Sequence, residues 1–148
     1  QCIRMRFLIW NLLNKLITEK GVTHFISGMA LGIDQICAEV VLELKARHPE
    51  ITLECAFPCE TQAVRWSESQ RERYYRIAEQ CDKETMLQHH YDKDCMQKRN
   101  RYMVDSSDII IAVWNGKPSG TGNTVRYAQE QEKTVIVIDP QTLETKII

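Results

Sequence analysis

At 148 residues, 43% of them hydrophobic and 26% charged, the chain has the length and make-up of one soluble globular domain spanning residues 1–148. Nineteen basic against twenty acidic residues leave a net charge of −1, which excludes a strongly basic nucleic-acid binder but leaves room for a local cationic patch. No apolar run approaches the roughly 20 residues of a membrane-spanning helix, so no membrane partner is expected. The N-terminal apolar stretch is broken by Arg4, Arg6, Asn11, Asn14 and Lys15, unlike a signal peptide.

In chain order, Ile3, Phe7, Leu8, Leu12, Leu13, Leu16 and Ile17 predict a helix over residues 3–19 with one apolar stripe, stopped at Gly21. Residues 22–27 form a β-rich run. A second helix is predicted over 34–47, with Ile36, Cys37, Val40, Val41 and Leu44 facing inward, before His48-Pro49 stops it. Residues 51–57 predict a strand ended by Pro58, and residues 61–81 a long polar helix carrying Trp66, Tyr74, Tyr75 and Ile77. A third strand is expected over 83–88 and a helix over 94–106. Residues 108–114 are apolar without alternation, as in a strand buried on both faces. A helix over 124–132 and a strand over 134–138 complete the series. Strands alternating with helices predict an α/β fold with an open, mainly parallel sheet and helices on both faces. Right-handed crossovers then bring the strand C-termini and their loops to one edge.

Three stretches are expected to meet at that edge. Ser27-Gly28-Met29-Ala30-Leu31-Gly32-Ile33-Asp34 links a strand to a helix. Its glycines admit positive φ, and the helix start offers N–H groups to an anion. No Walker lysine follows, the full G-x-G-x-x-G spacing is absent, and a tight connection N-capped by Asp34 accounts for the same residues. The turn through Gly116, Pro118, Ser119, Gly120, Thr121, Gly122, Asn123 and Thr124 follows the most apolar strand and is dense in hydroxyls and amides. A flexible surface loop is its plain alternative. Lys98-Arg99-Asn100-Arg101 supplies guanidinium forks for phosphate and an amide for a base or ribose edge, or else a solvated helix face.

Fewer features support the remaining candidates. Glu60, after the second strand, is a candidate acid, base or ribose ligand, and Asp34 a second candidate acid or base. Arg65 and Trp66 suit stacking on a base, or Trp66 anchors the core. His89-His90-Tyr91-Asp92 with Asp94 and Cys95 lacks metal-ligand spacing, so a polar loop and no metal are expected. The six cysteines form no C-x-x-C pair and are expected to be reduced, which points to the cytoplasm. No Ser or Cys nucleophile with a paired base is identifiable.

Ser-Gly-Met-Ala-Leu-Gly-Ile-Asp (27–34), Pro-Cys-Glu-Thr-Gln (58–62), Met-Gln-Lys-Arg-Asn-Arg-Tyr-Met-Val-Asp (96–105) and Ser-Gly-Thr-Gly-Asn-Thr (119–124) together resemble the YpsA-like branch of the SLOG superfamily. The resemblance implies a Rossmann-like fold and a nucleotide or nucleotide-derived ligand, held by a sensor or regulatory module. No cofactor beyond that ligand is implied, and homodimers are common for such sheets. The related DNA-processing protein DprA, a single-stranded DNA binder, has similar elements at Gly28, Gly32, Asp34, Arg99, Asn100, Arg101, Ser119 and Gly120. Near-neutral charge weighs against that nucleic-acid partner. The LOG phosphoribohydrolases carry Pro-Gly-Gly-x-Gly-Thr-x-x-Glu, which residues 118–122 follow in outline, but Arg126 stands where the catalytic Glu belongs. This weighs against hydrolysis of an N-glycosidic or phosphoester bond. The family pattern opens with a strand and a Thr-Gly-His-Arg-Pro-like turn ahead of the first helix. The sequence begins at Gln1, at the first predicted helix, so that first strand is expected to be missing, whether truncated or left out.

Overall fold

The structure, a computed structural model, describes residues 2–148. The chain folds as two compact units, the first through Cys95 and the second Met96–Ile148.

The first unit holds α1 (Cys2–Lys20), β1 (His24–Ser27), α2 (Ile33–Lys45), β2 (Thr52–Phe57), α3 (Glu68–Gln80) and β3 (Lys83–Met86), and ends at Cys95, where α4 (Cys95–Asp105) starts. Its strands form a parallel sheet in the order β1-β2-β3, with Ile26 opposite Glu54 and Glu54 opposite Lys83. Parallel pairing demands crossovers, and α2 and α3 supply them. Val40, Val41 and Leu44 of α2, Leu53 and Cys55 of β2 and Ile77 of α3 are all buried. Burying each such side chain contributes about 1.5–3 kcal/mol.

Helix α1 buries Met5, Ile9, Leu13, Leu16 and Ile17, whereas Ile3 and Phe7 are 85% and 68% exposed. The predicted stripe is therefore rotated at its first half. The helix carries apolar residues on more than one side, and packing against α2 selects which of them is covered. Polar links reinforce that packing: Glu39 of α2 accepts from Arg6 Nη1 at 3.0 Å and from Arg73 Nε at 2.9 Å. Glu54, only 2% exposed, bonds to His24 Nε2 at 2.8 Å and accepts from Thr85 Oγ1 at 2.7 Å, so one buried carboxylate ties three strands together.

The predicted helix over 61–81 is shorter, because residues 58–66 form turns and α3 starts after Ser67. Ser67 accepts from Gln70 N while the Gln70 side chain accepts from Ser67 N, a capping box that fixes the start.

The second unit contains the rest of α4, then β4 (Ile109–Val113), α5 (Gly120–Glu130), β5 (Thr134–Ile138) and β6 (Thr145–Ile147). Its sheet has the order β4-β5-β6, with β4 parallel to β5 and β6 antiparallel to β5. The ladders thus form two three-stranded sheets where the sequence predicted one, and β6 lies beyond the last predicted strand. Val104, Ala112, Val125, Ala128, Val135 and Val137 make the core, with Ile110, Trp114 and Tyr127 packed against it. Strand β4 is less covered than its composition predicts: only Ala112 is buried and its other four residues are half-exposed. It pairs on one edge, with β5, and an apolar strand need not be central in its sheet.

Among the described residues no helix is long and apolar enough to cross a membrane. Cys37, Cys55, Cys59, Cys81 and Cys95 carry free thiols. Burial pushes the Cys37 thiol up to about 12, with Asp34 adding to the shift, so it is not a ready nucleophile.

Candidate functional site

The first glycine turn leaves the carboxyl end of β1 and enters α2. Ser27, 5% exposed, donates from Oγ to Asp34 O at 2.8 Å and accepts from Met29 N at 3.2 Å. Asp34 Oδ2 accepts from Ala30 N at 3.2 Å. The chain reverses here through Met29 at φ 59° and Gly32 at φ 89°. The second of these conformations suits glycine, whereas the first is strained for a side chain that is fully buried. Gly32, not Asp34, occupies the cap position of α2, and no side chain caps that helix. Asp34 acts from within the first turn of α2, holding the loop closed. Among the described residues the N–H groups of Leu31, Gly32 and Ile33 find no acceptor, as expected at a helix start.

Two more loops join this turn at the carboxyl edge of the first sheet. Gln62 donates from Nε2 to Gly28 O at 3.4 Å and lies 3.5 Å from the Tyr74 hydroxyl. Glu60 N donates to His89 O at 3.1 Å, and Glu60 Oε1 pairs with His89 Nδ1 at 2.8 Å. Both side chains are exposed, at 55% for Glu60 and 76% for His89. The loops after β1, β2 and β3 are therefore bonded in series. Trp66 meets Tyr74 edge-on at 5.2 Å and Phe57 lies 5.6 Å from Tyr74, which makes Trp66 part of an aromatic anchor beneath the 58–66 turns. Arg65 is exposed.

The second unit carries the other two predicted stretches. Arg99 is 4% exposed, its Nε donates to Asn100 Oδ1 at 2.8 Å, and Nη2 lies 3.7 Å from Met96 Sδ. Arg101 is exposed, with its guanidinium 5.1 Å from the centre of the Tyr127 ring. The Tyr127 hydroxyl donates to Asp105 Oδ1 at 2.7 Å, and that bond raises the phenol's pKa.

After β4 the chain turns through Asn115 and Gly116, with Lys117 N bonded to Asn115 Oδ1 at 2.9 Å. Trp114 Nε1 donates to Lys117 O at 2.7 Å, so the indole braces the loop from inside. Ser119 caps α5: its Oγ accepts from Gly122 N at 3.0 Å and its carbonyl accepts from Asn123 N at 2.9 Å. Among the described residues, Gly120 N and Thr121 N have no acceptor. Thr124 donates to Gly120 O at 3.1 Å. Gly122 permits close packing, because a Cβ there would lie 3.2 Å from both Lys117 O and the Trp114 ring.

In the sequence both turns and Glu60 stand out, Met29 and Gln62 fall within the motifs without a role, His89 reads as part of a polar loop, and Trp114 has no role at the second turn. Gln62 lies inside a singled-out motif, which was a usable signal. The pairing of His89 with Glu60 left no mark in the sequence, since the two are 29 positions apart.

Two glycine turns, each at the carboxyl end of a parallel strand and each opening a helix, define the Rossmann-like α/β class. Within that class, the family model described as the YspA SLOG family matches residues 2–143, and the chain belongs to this family. It is 32% identical over 140 residues to the uncharacterized SPbeta prophage-derived protein YoqJ of Bacillus subtilis, covering 86% of this chain and 82% of YoqJ. A UPF0398 protein of Halalkalibacterium halodurans is 31% identical, over 86% of this chain and 71% of that protein. Among solved structures, DNA processing protein A (DprA) of Streptococcus pneumoniae superposes with a TM-score of 0.66 at 18% identity. That match covers 95% of this chain, which spans only 47% of the DprA chain, and it shows a shared fold.

Proposed function

We propose that the protein binds a nucleotide or nucleotide derivative and acts as a ligand sensor or regulatory module of the cytoplasm. The start of α5 carries the proposal. Ser119 satisfies Gly122 N but leaves Gly120 N and Thr121 N open beside an exposed, glycine-rich turn. Such a pair of amides at the positive end of a helix suits a phosphate. The open amides of residues 31–33 are a matching feature of the first unit. Free thiols on five cysteines support a reducing compartment. Hydrolysis has less in its favour: Asp34 is engaged in its own loop, and Arg126 replaces the acid of the LOG motif.

The test is thermal unfolding with nucleoside monophosphates, ADP-ribose and a short single-stranded DNA. A ligand at a hundredfold excess over Kd contributes about 2.7 kcal/mol, a rise in Tm on the order of 5–10 °C for a chain of this size. Gly120→Pro deletes one open amide at the first helical position, where proline is tolerated, and Gly120→Ala retains it; a Cβ at this position meets no atom within 4 Å. The nucleotide-dependent rise is expected to shrink in Gly120→Pro and persist in Gly120→Ala. Equal rises in both variants would remove α5 from the site, and stabilisation by DNA alone would favour the DprA-like alternative.

A further inference from the structure

We propose that Glu60 recognises the free 2′,3′-diol of a ribonucleotide, with His89 as its positioning residue, so that the ligand class is ribo- rather than 2′-deoxyribonucleotide. This rests on the nucleotide-binding proposal above, taken at the open amides of residues 31–33 in the same unit, and adds the sugar there.

The first argument is place. In a β-α-β unit that binds a nucleotide, phosphate meets the turn after the first strand, and an acidic side chain just past the second strand accepts the ribose hydroxyls. Here the turn is 28–32, after β1, and Glu60 is the third residue past Phe57, the last residue of β2. Strands β1 and β2 are adjacent and parallel, with Ser27 opposite Cys55, so both loops leave the same edge. Gln62 bonds Gly28 O at 3.4 Å and holds the Glu60 loop beside the turn.

The second argument is the state of the carboxylate. His89 Nδ1 engages Glu60 Oε1 at 2.8 Å, and the Glu60 N–H bonds His89 O at 3.1 Å, so side chain and backbone are both fixed. Among the described residues Glu60 Oε2 has no donor, and 55% of the side chain remains exposed. A carboxylate held on one oxygen and open on the other is set up to accept hydroxyl protons from outside. A diol supplies two donors on adjacent carbons, whereas a 2′-deoxyribose supplies one.

The third argument is exclusion. A 2′-phosphate would meet the Glu60 carboxylate rather than a cation, so 2′-phosphorylated ligands are disfavoured as well.

Binding of the four ribonucleoside 5′-monophosphates and their 2′-deoxy counterparts, measured by calorimetry and thermal shift, tests this. Loss of one hydrogen bond to a charged acceptor weakens binding about tenfold or more, so the bound ribonucleotide is expected to exceed its deoxy form by that factor. Glu60→Ala, at an exposed position, is expected to bring ribo and deoxy forms to the same affinity, the ribonucleotide losing two hydroxyl contacts and its deoxy counterpart one. His89→Ala is expected to narrow the ribo-to-deoxy ratio partway, a change that mere loss of stability would not produce. Equal affinity for ribo and deoxy forms, or a ratio that survives Glu60→Ala, overturns the inference while leaving nucleotide binding intact. If none of the eight compounds binds, nucleotide binding and diol recognition fall together.

Discussion

The two glycine turns solve the same connection differently. In the first, side chains satisfy the loop: Ser27 and Asp34 take the amides of Met29 and Ala30, Gln62 takes the carbonyl of Gly28, and Met29 lies fully buried in a left-handed conformation. In the second, only Gly122 N is taken by a side chain within the helix start, and the loop leans on Trp114. The first turn is thus a built element with its donors partly committed. The second is a helix start left open above an aromatic floor. The first turn is expected to carry stability through its bonded side chains and the buried Met29, while each turn keeps open amides for an anion of its own, residues 31–33 in the first and Gly120 and Thr121 in the second.

Substitutions at the two turns sharpen that contrast or break it. The largest effect is expected from Met29→Ala, which empties a buried site without relieving the backbone and should cost about 2–5 kcal/mol by urea unfolding. A cost below that of a surface change would show that the first turn is not the rigid one. Gly122→Val comes next. The added side chain meets Lys117 O and the Trp114 ring, and overpacking of this kind costs about 1–3 kcal/mol. Ser119→Ala should cost about 1 kcal/mol through the lost cap. It also frees a third amide, so nucleotide affinity should fall much less than stability does.

The smallest effect is one of pH. Arg73, ahead of Arg6, holds the Glu39 carboxyl below the ordinary glutamate range, and burial only partly opposes this. A lowered native pKa means stability that is present above the unfolded value and lost as pH falls through the native one. Unfolding followed from pH 6 to pH 3 should therefore show a decline beginning below about pH 4.3. Glu39→Gln should make it shallower, with the lowered Asp82 and Asp139 carboxyls keeping the remainder, and an unchanged slope in that variant would remove the α1–α2–α3 ion network as a source.

Fold class was legible because apolar runs and glycine or proline breaks survive in any α/β chain. Burial at single positions was less so. Ile3 and Phe7 share the helical spacing of the buried residues of α1, and only the position of α2 decides between the two sides. The start of α3 was written in Ser67 and Gln70 but hidden by a polar run that also suits a longer helix. The pairing of Glu60 with His89 joins loops from different strands, and no periodicity records such a meeting. Arg99 illustrates the reverse case: its sequence context marks a phosphate ligand, while its side chain is 96% covered and bonded to its neighbour Asn100.

Trp114 has a consequence beyond support. Its indole N–H is fixed on Lys117 O, and its ring lies 3.2 Å from where a Gly122 Cβ would be, one and two residues from the open amides of Thr121 and Gly120. If the proposed anion settles on Gly120 N, the polarity around that ring is expected to change. The other two tryptophans sit elsewhere, Trp10 under the Arg47 guanidinium and Trp66 against Tyr74. With Trp10 and Trp66 replaced by phenylalanine, the protein becomes its own optical gauge. A shift in Trp114 fluorescence then reports occupancy of the second turn directly, in solution and without a label.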